Sequence, residues 1–251
     1  MPRAVFSIQG SYAEVWCISD LLEHLPDDNK FQSSTAQKAK YLPKIFRGEE
    51  PGLVIAVGTA GLPEETSENG SVVTGTKCFV HNAYAGGTNF DSDWRVGPFD
   101  TIIDSSISEV AFRELVNLDQ APSRFLVPPL NPGSQLRVLG DHCFVALSGV
   151  NVTEYSEYTQ ADAATLDAFV QAKSGLPAKS LETTHGLIRV QSLAPFLFVS
   201  GITDRVGHFD TEVQPRSYAQ NTVAAHNAGV ALGNLLVNLN ALMSKGMTNL
   251  H

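Results

Sequence analysis

The hydrophobic positions fall into short dense runs and longer stretches at helical spacing. Ala4 to Ile8 is a short β-type run ending at Gly10. Leu53 to Val57 (LVIAV) and Phe196 to Val199 (FLFV) are dense apolar runs followed by small residues, the pattern of strands buried on both faces of a sheet. Ser71 to Val80 predicts a further strand, and Leu136 to Leu147 one or two more ending at Ser148-Gly149. A short strand through Leu181 delivers Glu182. Helical spacing marks Ser11 to Leu25, with Val15, Ile18, Leu21, Leu22 and Leu25 on one face. Helices are also expected over Ser34 to Arg47 (interrupted by Pro43), Ser105 to Leu118, Asp162 to Lys173, Thr183 to Leu193 and Arg216 to Lys245. In the last, Gly229 and Gly233 suggest close packing on the sheet. With no repeat, low-complexity tract or linker, residues 1–251 read as a single α/β domain.

The polar groups at the ends of these runs carry the candidate chemistry. Asp204 is expected just past the carboxyl end of the FLFV strand, where open α/β sheets place their ligands. Glu182 precedes the helix that leads into that strand. The expectation is that these two carboxylates face one small molecule. Ser11-x-x-Glu14 matches a capping box, in which the acid reaches back to the helix start. A strand, a Gly turn and a helix N-terminus also display catalytic groups in α/β folds, so both readings of Glu14 stand. Gly58-Thr59-Ala60-Gly61 reads as a turn of small residues that lets a ligand approach the backbone. His81 and His226 read as structural. Tyr84 to Asp104 is a loop and candidate pocket rim, and its acids lack EF-hand spacing. Arg205 to Pro215 is a polar loop that suits a lid.

Composition narrows the partners. A formal charge of -9 argues against a broad face for nucleic acid, which needs clustered Lys and Arg. Cys17, Cys78 and Cys143 are far apart and lack metal-site spacing, which fits a reducing compartment. The N-terminus lacks the apolar core of a signal peptide, and the C-terminal apolar segment is interrupted by His226, Asn227, Asn234 and Asn238. The expectation is a cytoplasmic protein with no membrane segment and no metal or organic cofactor.

Several of these segments together resemble the superfamily of purine nucleoside phosphorylases and 5'-methylthioadenosine/S-adenosylhomocysteine nucleosidases. Val57-Gly58-Thr59-Ala60-Gly61 is similar to its strand and Gly/Ser turn, and Gly70-Ser71-Val72-Val73 to its following "GD-V-V" strand. Ser180-Leu181-Glu182 resembles its V-E-M-E segment, and Ser200-Gly201-Ile202-Thr203-Asp204 its R-x-I-S-D segment. Ile8 to Val15 resembles the nucleosidases' I-G-A-M-E-E-E-V, which sets Glu14 at their water-activating acid. The resemblance implies a mixed central sheet flanked by helices, a small-molecule nucleoside substrate and a homo-oligomer. It implies Asp204 as general acid to the base, Glu182 on the ribosyl hydroxyls, and Thr59, Ala60 and Gly61 around the nucleophile. Leu181, Val152 and Thr203 complete the expected lining.

The sequence also departs from that pattern. Ala56 stands where the phosphorylases carry an Arg, which removes bidentate phosphate binding and favours hydrolysis. A phosphate-dependent reaction, with Arg205 supplying charge, is the second reading. A nucleoside binder without turnover is the third. Ser180 and Ser200 replace the first acid and the Arg of two motifs, and Val152 stands where a Phe often stacks on the purine. The stretch from Glu14 to Leu53 is shorter than the nucleosidases use, so part of the early sheet is expected to be missing.

Overall fold

The computed structural model describes residues 4–8, 10–18, 42, 45–46, 50–64, 66–81, 102–104, 107–130, 132–133, 135–149, 168, 170–215 and 217–245. Among the described residues ten strands are formed: β1 (Ala4–Ile8), β2 (Ser11–Val15), β3 (Val54–Leu62), β4 (Val72–Gly75), β5 (Lys77–His81), β6 (Ile102–Ile103), β7 (Val138–Gly140), β8 (Val145–Gly149), β9 (Ala178–Glu182) and β10 (Phe196–Arg205). The helices among the described residues are α1 (Glu109–Leu115), α2 (His185–Arg189) and α3 (Tyr218–Ser244), with a 3-10 turn at Ala121–Arg124 and a π turn at Phe209–Val213. β1 and β2 form their own two-stranded sheet. The other eight strands lie in the order β6-β5-β8-β9-β3-β10-β4-β7. The sheet is mixed: β10 runs parallel to β3, and β5, β8 and β9 run parallel to one another. The pairs β3–β9 and β10–β4 are antiparallel.

β10 is the spine, and its composition explains why. Phe196 to Val199 is apolar at every position because both sheet faces are covered. Leu197 and Val199 pack with Ala228, Ala231 and Leu235 of α3 and with Phe112 and Leu115 of α1. Phe196 and Phe198 point the other way, with Ala56, Ala60 and Val73, against Ile188 of α2. Ser217 starts α3 as a side-chain cap, its hydroxyl accepting from the Gln220 N–H. Two buried amides then bind that helix to the sheet side. Asn227 donates to the Gly70 carbonyl at 2.7 Å, and Gln220 to the Thr203 carbonyl at 2.7 Å.

Several expectations are corrected. Ser11–Val15 is a strand, not the start of a helix; Gly10, at φ 81°, closes a two-residue turn that pairs Ile8 with Ser11. The capping box is therefore not formed. Gly58 to Gly61 is no turn, since β3 runs on through it, paired with β10 to the end. Asp204 lies within β10 rather than past it, because the strand continues after the FLFV run. Ser71 to Val80 divides at Thr76 into β4 and β5, which join different neighbours. The expected helix at Thr183 to Leu193 shrinks to the five residues of α2, and the one at Ser105 to Leu118 begins after Ser108, whose hydroxyl accepts from Ala111 N–H. Gly229 and Gly233 face open space, so they do not mark close packing. Most of the helix expected at Ser34 to Arg47, most of the loop at Tyr84 to Asp104 and the start of the helix at Asp162 to Lys173 lie outside the described residues. Among the described residues no helix is long and apolar enough to cross a membrane.

Candidate functional site at the carboxyl ends of the strands

The acids at 182 and 204 are brought to one end of the sheet by strand pairing. Asp204 is paired with Gly61, and Gly61 with Leu181, the residue before Glu182. Ser148, at the end of β8, is paired with Glu182. The ends of four neighbouring strands thus meet, with about 10 Å of backbone between β9 and β10 because one strand intervenes.

Glu182 is 8% exposed and closely held. One carboxylate oxygen accepts from the Ser148 hydroxyl. The other accepts from the backbone N–H groups of Thr184 and, at 2.6 Å, His185. A carboxylate offers about four acceptor sites, so the described partners leave room for one more donor. Ser148 Oγ also accepts from Gly186 N–H at 2.7 Å, which makes it a bridge between the acid and α2. The neighbouring Cys78 thiol is fully buried; burial, and then the charge of Glu182, push it well above the usual thiol range, with Arg189 opposing. A thiol in that setting is an inert core group rather than a nucleophile.

Asp204 is 5% exposed. Its Oδ1 accepts from the Thr203 hydroxyl at 2.5 Å, and that hydroxyl lies 3.2 Å from the Ala60 carbonyl. The ladder shifts register between Ile202 and Asp204, leaving Thr203 as the extra residue of a bulge. Gln220 holds the Thr203 carbonyl, so α3 fixes the bulge that aims Asp204. Small residues on β3 make the approach possible. A Cβ on Gly61 would sit 3.4 Å from Asp204 Oδ2, and one on Gly58 3.3 Å from His185 Nε2. Gly58 and Gly61 are three apart on a strand and face opposite sides. A ligand reaching both acids therefore lies across the strand ends, not along one face.

The remaining expected residues divide. Leu181 and Ala60 are buried beside the acids, and Thr203 touches Asp204 directly. Thr59 is exposed on β3, near Val57 at 41%. Glu14 is exposed on the separate hairpin, where it accepts from Trp16 Nε1 at 3.0 Å. Val152 lies outside the described residues. Ser148, His185 and Gln220 were not singled out from the sequence. Ser148 alone left a trace, as a polar residue closing the apolar run of β8.

Arg205, the cation considered for phosphate, is committed elsewhere. Its Nε and a terminal nitrogen lie 2.8 and 2.6 Å from Glu212 Oε1, and its backbone N–H donates to Oε2 at 2.7 Å. Glu212 belongs to the π turn that occupies the expected lid. Burial pushes its carboxyl up, but donors from Arg205 and Asn69 and the Arg205 charge outweigh this and hold it below the ordinary value near 4.5. A depressed folded value contributes stability above the unfolded value, which is lost as pH falls through the folded one. Thermal unfolding followed from neutral pH to pH below 4.5 is expected to show a steeper acid loss for wild type than for Glu212→Gln. Equal slopes would show that the pair contributes nothing.

No family model matches the chain, and no curated protein does. Solved structures do match. The 5'-methylthioadenosine/S-adenosylhomocysteine nucleosidase of Neisseria meningitidis, in complex with methylthio-immucillin-A, superposes with a TM-score of 0.51 at 16% identity, over 82% of this chain and 77% of that one. A putative nucleosidase of the same kind from Borrelia burgdorferi, bound to adenine, gives 0.52 at 12%, over 82% and 77%. A methylthioadenosine phosphorylase from an antarctic soil metagenomic library gives 0.54 at 10%, over 96% and 75%. At such identities the likeness is one of fold.

Proposed function

We infer, starting from the nucleoside phosphorylase/nucleosidase fold of this chain, that it hydrolyses the N-glycosidic bond of a purine nucleoside of the methylthioadenosine or adenosylhomocysteine type. The observation that carries this reading is the meeting of Ser148, Glu182, Gly61 and Asp204 at neighbouring strand ends. In it, Asp204 gives a proton to purine N7 as the bond from C1' to N9 breaks, so the base leaves neutral. The free acceptor site of Glu182 takes a ribosyl hydroxyl, and its negative charge stabilises the cationic sugar. Ser148 and the α2 N–H groups hold that carboxylate in place. Water adds to C1' from the opposite face, losing its proton to Glu14. Thr59 and the backbone around Ala60 and Gly61 line that approach. Thr203 and Leu181 pack the base end, and Val152 is assigned to the same lining on the sequence resemblance alone. A homo-oligomer belongs to the same reading, on the family resemblance.

Hydrolysis is preferred to phosphorolysis on two observations. Ala56 is buried in the strand where a phosphate-binding guanidinium is needed, and Arg205 is already paired with Glu212. A nucleoside panel assayed with and without phosphate tests the choice. Base release at equal rates in both buffers is expected. Release only with phosphate would establish the phosphorylase, and nucleoside binding with no release the inactive binder. Glu14→Gln is expected to lower phosphate-free release by about 10²-fold, the lower range for a lost general base, with substrate binding retained. An unchanged rate would remove Glu14 from the mechanism.

A further inference from the structure

Glu212 is a buried acid that the reaction proposed above leaves without a role. It is 4% exposed, and a buried ion pair stabilises a fold no better than well-packed apolar side chains do. What sets it apart is the donor it holds, because Arg205 directly follows Asp204. Oε2 accepts from the backbone N–H of Arg205 at 2.7 Å and from Asn69 Nδ2 at 3.2 Å. Oε1 accepts from the Arg205 guanidinium, with Nε at 2.8 Å. The π turn makes this reach possible: Glu212 N–H donates to the His208 carbonyl at 2.9 Å, which brings residue 212 back beside residue 205.

The peptide bond on each side of Asp204 is thus held by a side chain from another element. On the amino side, the Thr203 carbonyl accepts from Gln220 Nε2 at 2.7 Å. On the carboxyl side, the Arg205 N–H donates to Glu212. Each peptide unit is planar, so holding both restrains the φ and ψ of Asp204 together. The bulge at Thr203 disrupts the ladder at this point, and the two side chains supply the restraint that regular pairing would give. One residue earlier, Gly70 N–H donates to the Ile202 carbonyl at 2.7 Å, and Ile202 N–H to the Ser71 carbonyl at 2.9 Å. Asn69, fully buried in the same loop, ties that loop to Glu212.

We propose that Glu212 is a positioning residue for Asp204: its bond to the Arg205 N–H sets the peptide plane that follows the acid, as Gln220 sets the plane that precedes it. This rests on the role of Asp204 as general acid given above, and Glu212 acts only through that residue. Reach matters here, and charge does not. The N–H needs an acceptor oxygen where Oε2 stands. The Arg205 side chain, 20% exposed, can turn to water when its charged partner is removed.

Two substitutions at this position separate reach from charge. Glu212→Asp keeps the charge and draws the oxygens back by one bond, about 1.5 Å, which takes the 2.7 Å contact with the Arg205 N–H out of hydrogen-bond range. Glu212→Gln loses the charge and keeps an oxygen at full reach. In base release, Glu212→Asp is expected to lower kcat by about 10–10²-fold with KM within about twofold, as for a misplaced reacting group. Glu212→Gln is expected to keep kcat within about threefold of wild type. Asn238→Ala removes bonds to the Leu115 and Asn117 carbonyls, roughly 27 Å along α3 from Gln220. It controls for lost stability and is expected to leave kcat unchanged. Carbon NMR of the Asp204 carboxyl, assigned by its absence in Asp204→Asn, reads the same arrangement without turnover. Its resonance is expected to move further in Glu212→Asp than in Glu212→Gln, and not in Asn238→Ala. Circular dichroism of each variant, matched to wild type, separates lost aim from lost fold. If wild type releases no base, the proposed hydrolysis fails, and the resonance still decides the role of Glu212. Wild-type kcat or an unmoved resonance in Glu212→Asp, or a larger loss in Glu212→Gln than in Glu212→Asp, overturns the proposal.

Discussion

Asp204→Asn is expected to lower base release from the nucleoside by about 10²–10⁴-fold, the usual contribution of a general acid. The substitution is nearly isosteric, and the amide oxygen can still accept from the Thr203 hydroxyl as Oδ1 does at 2.5 Å. What it cannot do is deliver a proton to the departing base. Circular dichroism and thermal unfolding of the variant are expected to match wild type, which separates chemistry from folding. Activity within a few-fold of wild type would remove Asp204 from the reaction.

Gly201→Ala is expected to be the most damaging small change in the fold. A Cβ at that position would lie 2.6 Å from the Ala224 carbonyl carbon and 3.2 Å from its Cα. Those are backbone atoms of α3, and they cannot swing aside as the tip of a flexible side chain can. Separating α3 from β10 also disturbs the Gln220 bond that sets the Thr203 bulge. Overpacking of this kind costs about 3 kcal/mol, measured by denaturant unfolding. Gly229→Ala, in the same helix but facing open space, is the control. It is expected to gain about 0.8–1 kcal/mol from helix propensity. A Gly201→Ala protein as stable as wild type would mean that α3 does not approach β10 so closely.

These two sites show what could be read from the sequence and what could not. Phe196 to Val199 announces a strand covered on both faces, and it became the spine of the sheet. The long helix at Tyr218–Ser244 was equally visible from its Ala, Val and Leu content. The continuation of β3 through Gly58-Thr59-Ala60-Gly61 was not, because small residues read locally as a turn. Their smallness instead answers to His185, Val206 and Asp204 lying alongside, a fact set by tertiary pairing. The bulge at Thr203 is hidden for the same reason, since it exists only in the register between β10 and β3. Ser11–Val15 carried apolar residues compatible with either period, and Gly10 decided for the hairpin.

For the candidate site, the nearness of the two acids was expected from the sequence and follows from strand pairing, and their partners were not legible. Ser148 lies 34 residues from Glu182 along the chain, and Gln220 reaches Thr203 from another element. Nothing in local pattern signals such contacts. Glu14 illustrates the reverse case for local structure: the capping-box motif around it predicted a helix start, and the structure sets it on an exposed strand.

The central claim is that Glu182 and Asp204 hold one nucleoside between them. Calorimetric titration of a nucleoside analogue with a non-cleavable C-glycosidic bond, against wild type, Glu182→Gln and Asp204→Asn, tests it most directly. Each variant is expected to bind about tenfold or more weakly, a loss of at least ~1.4 kcal/mol. Wild-type affinity in either variant would contradict it.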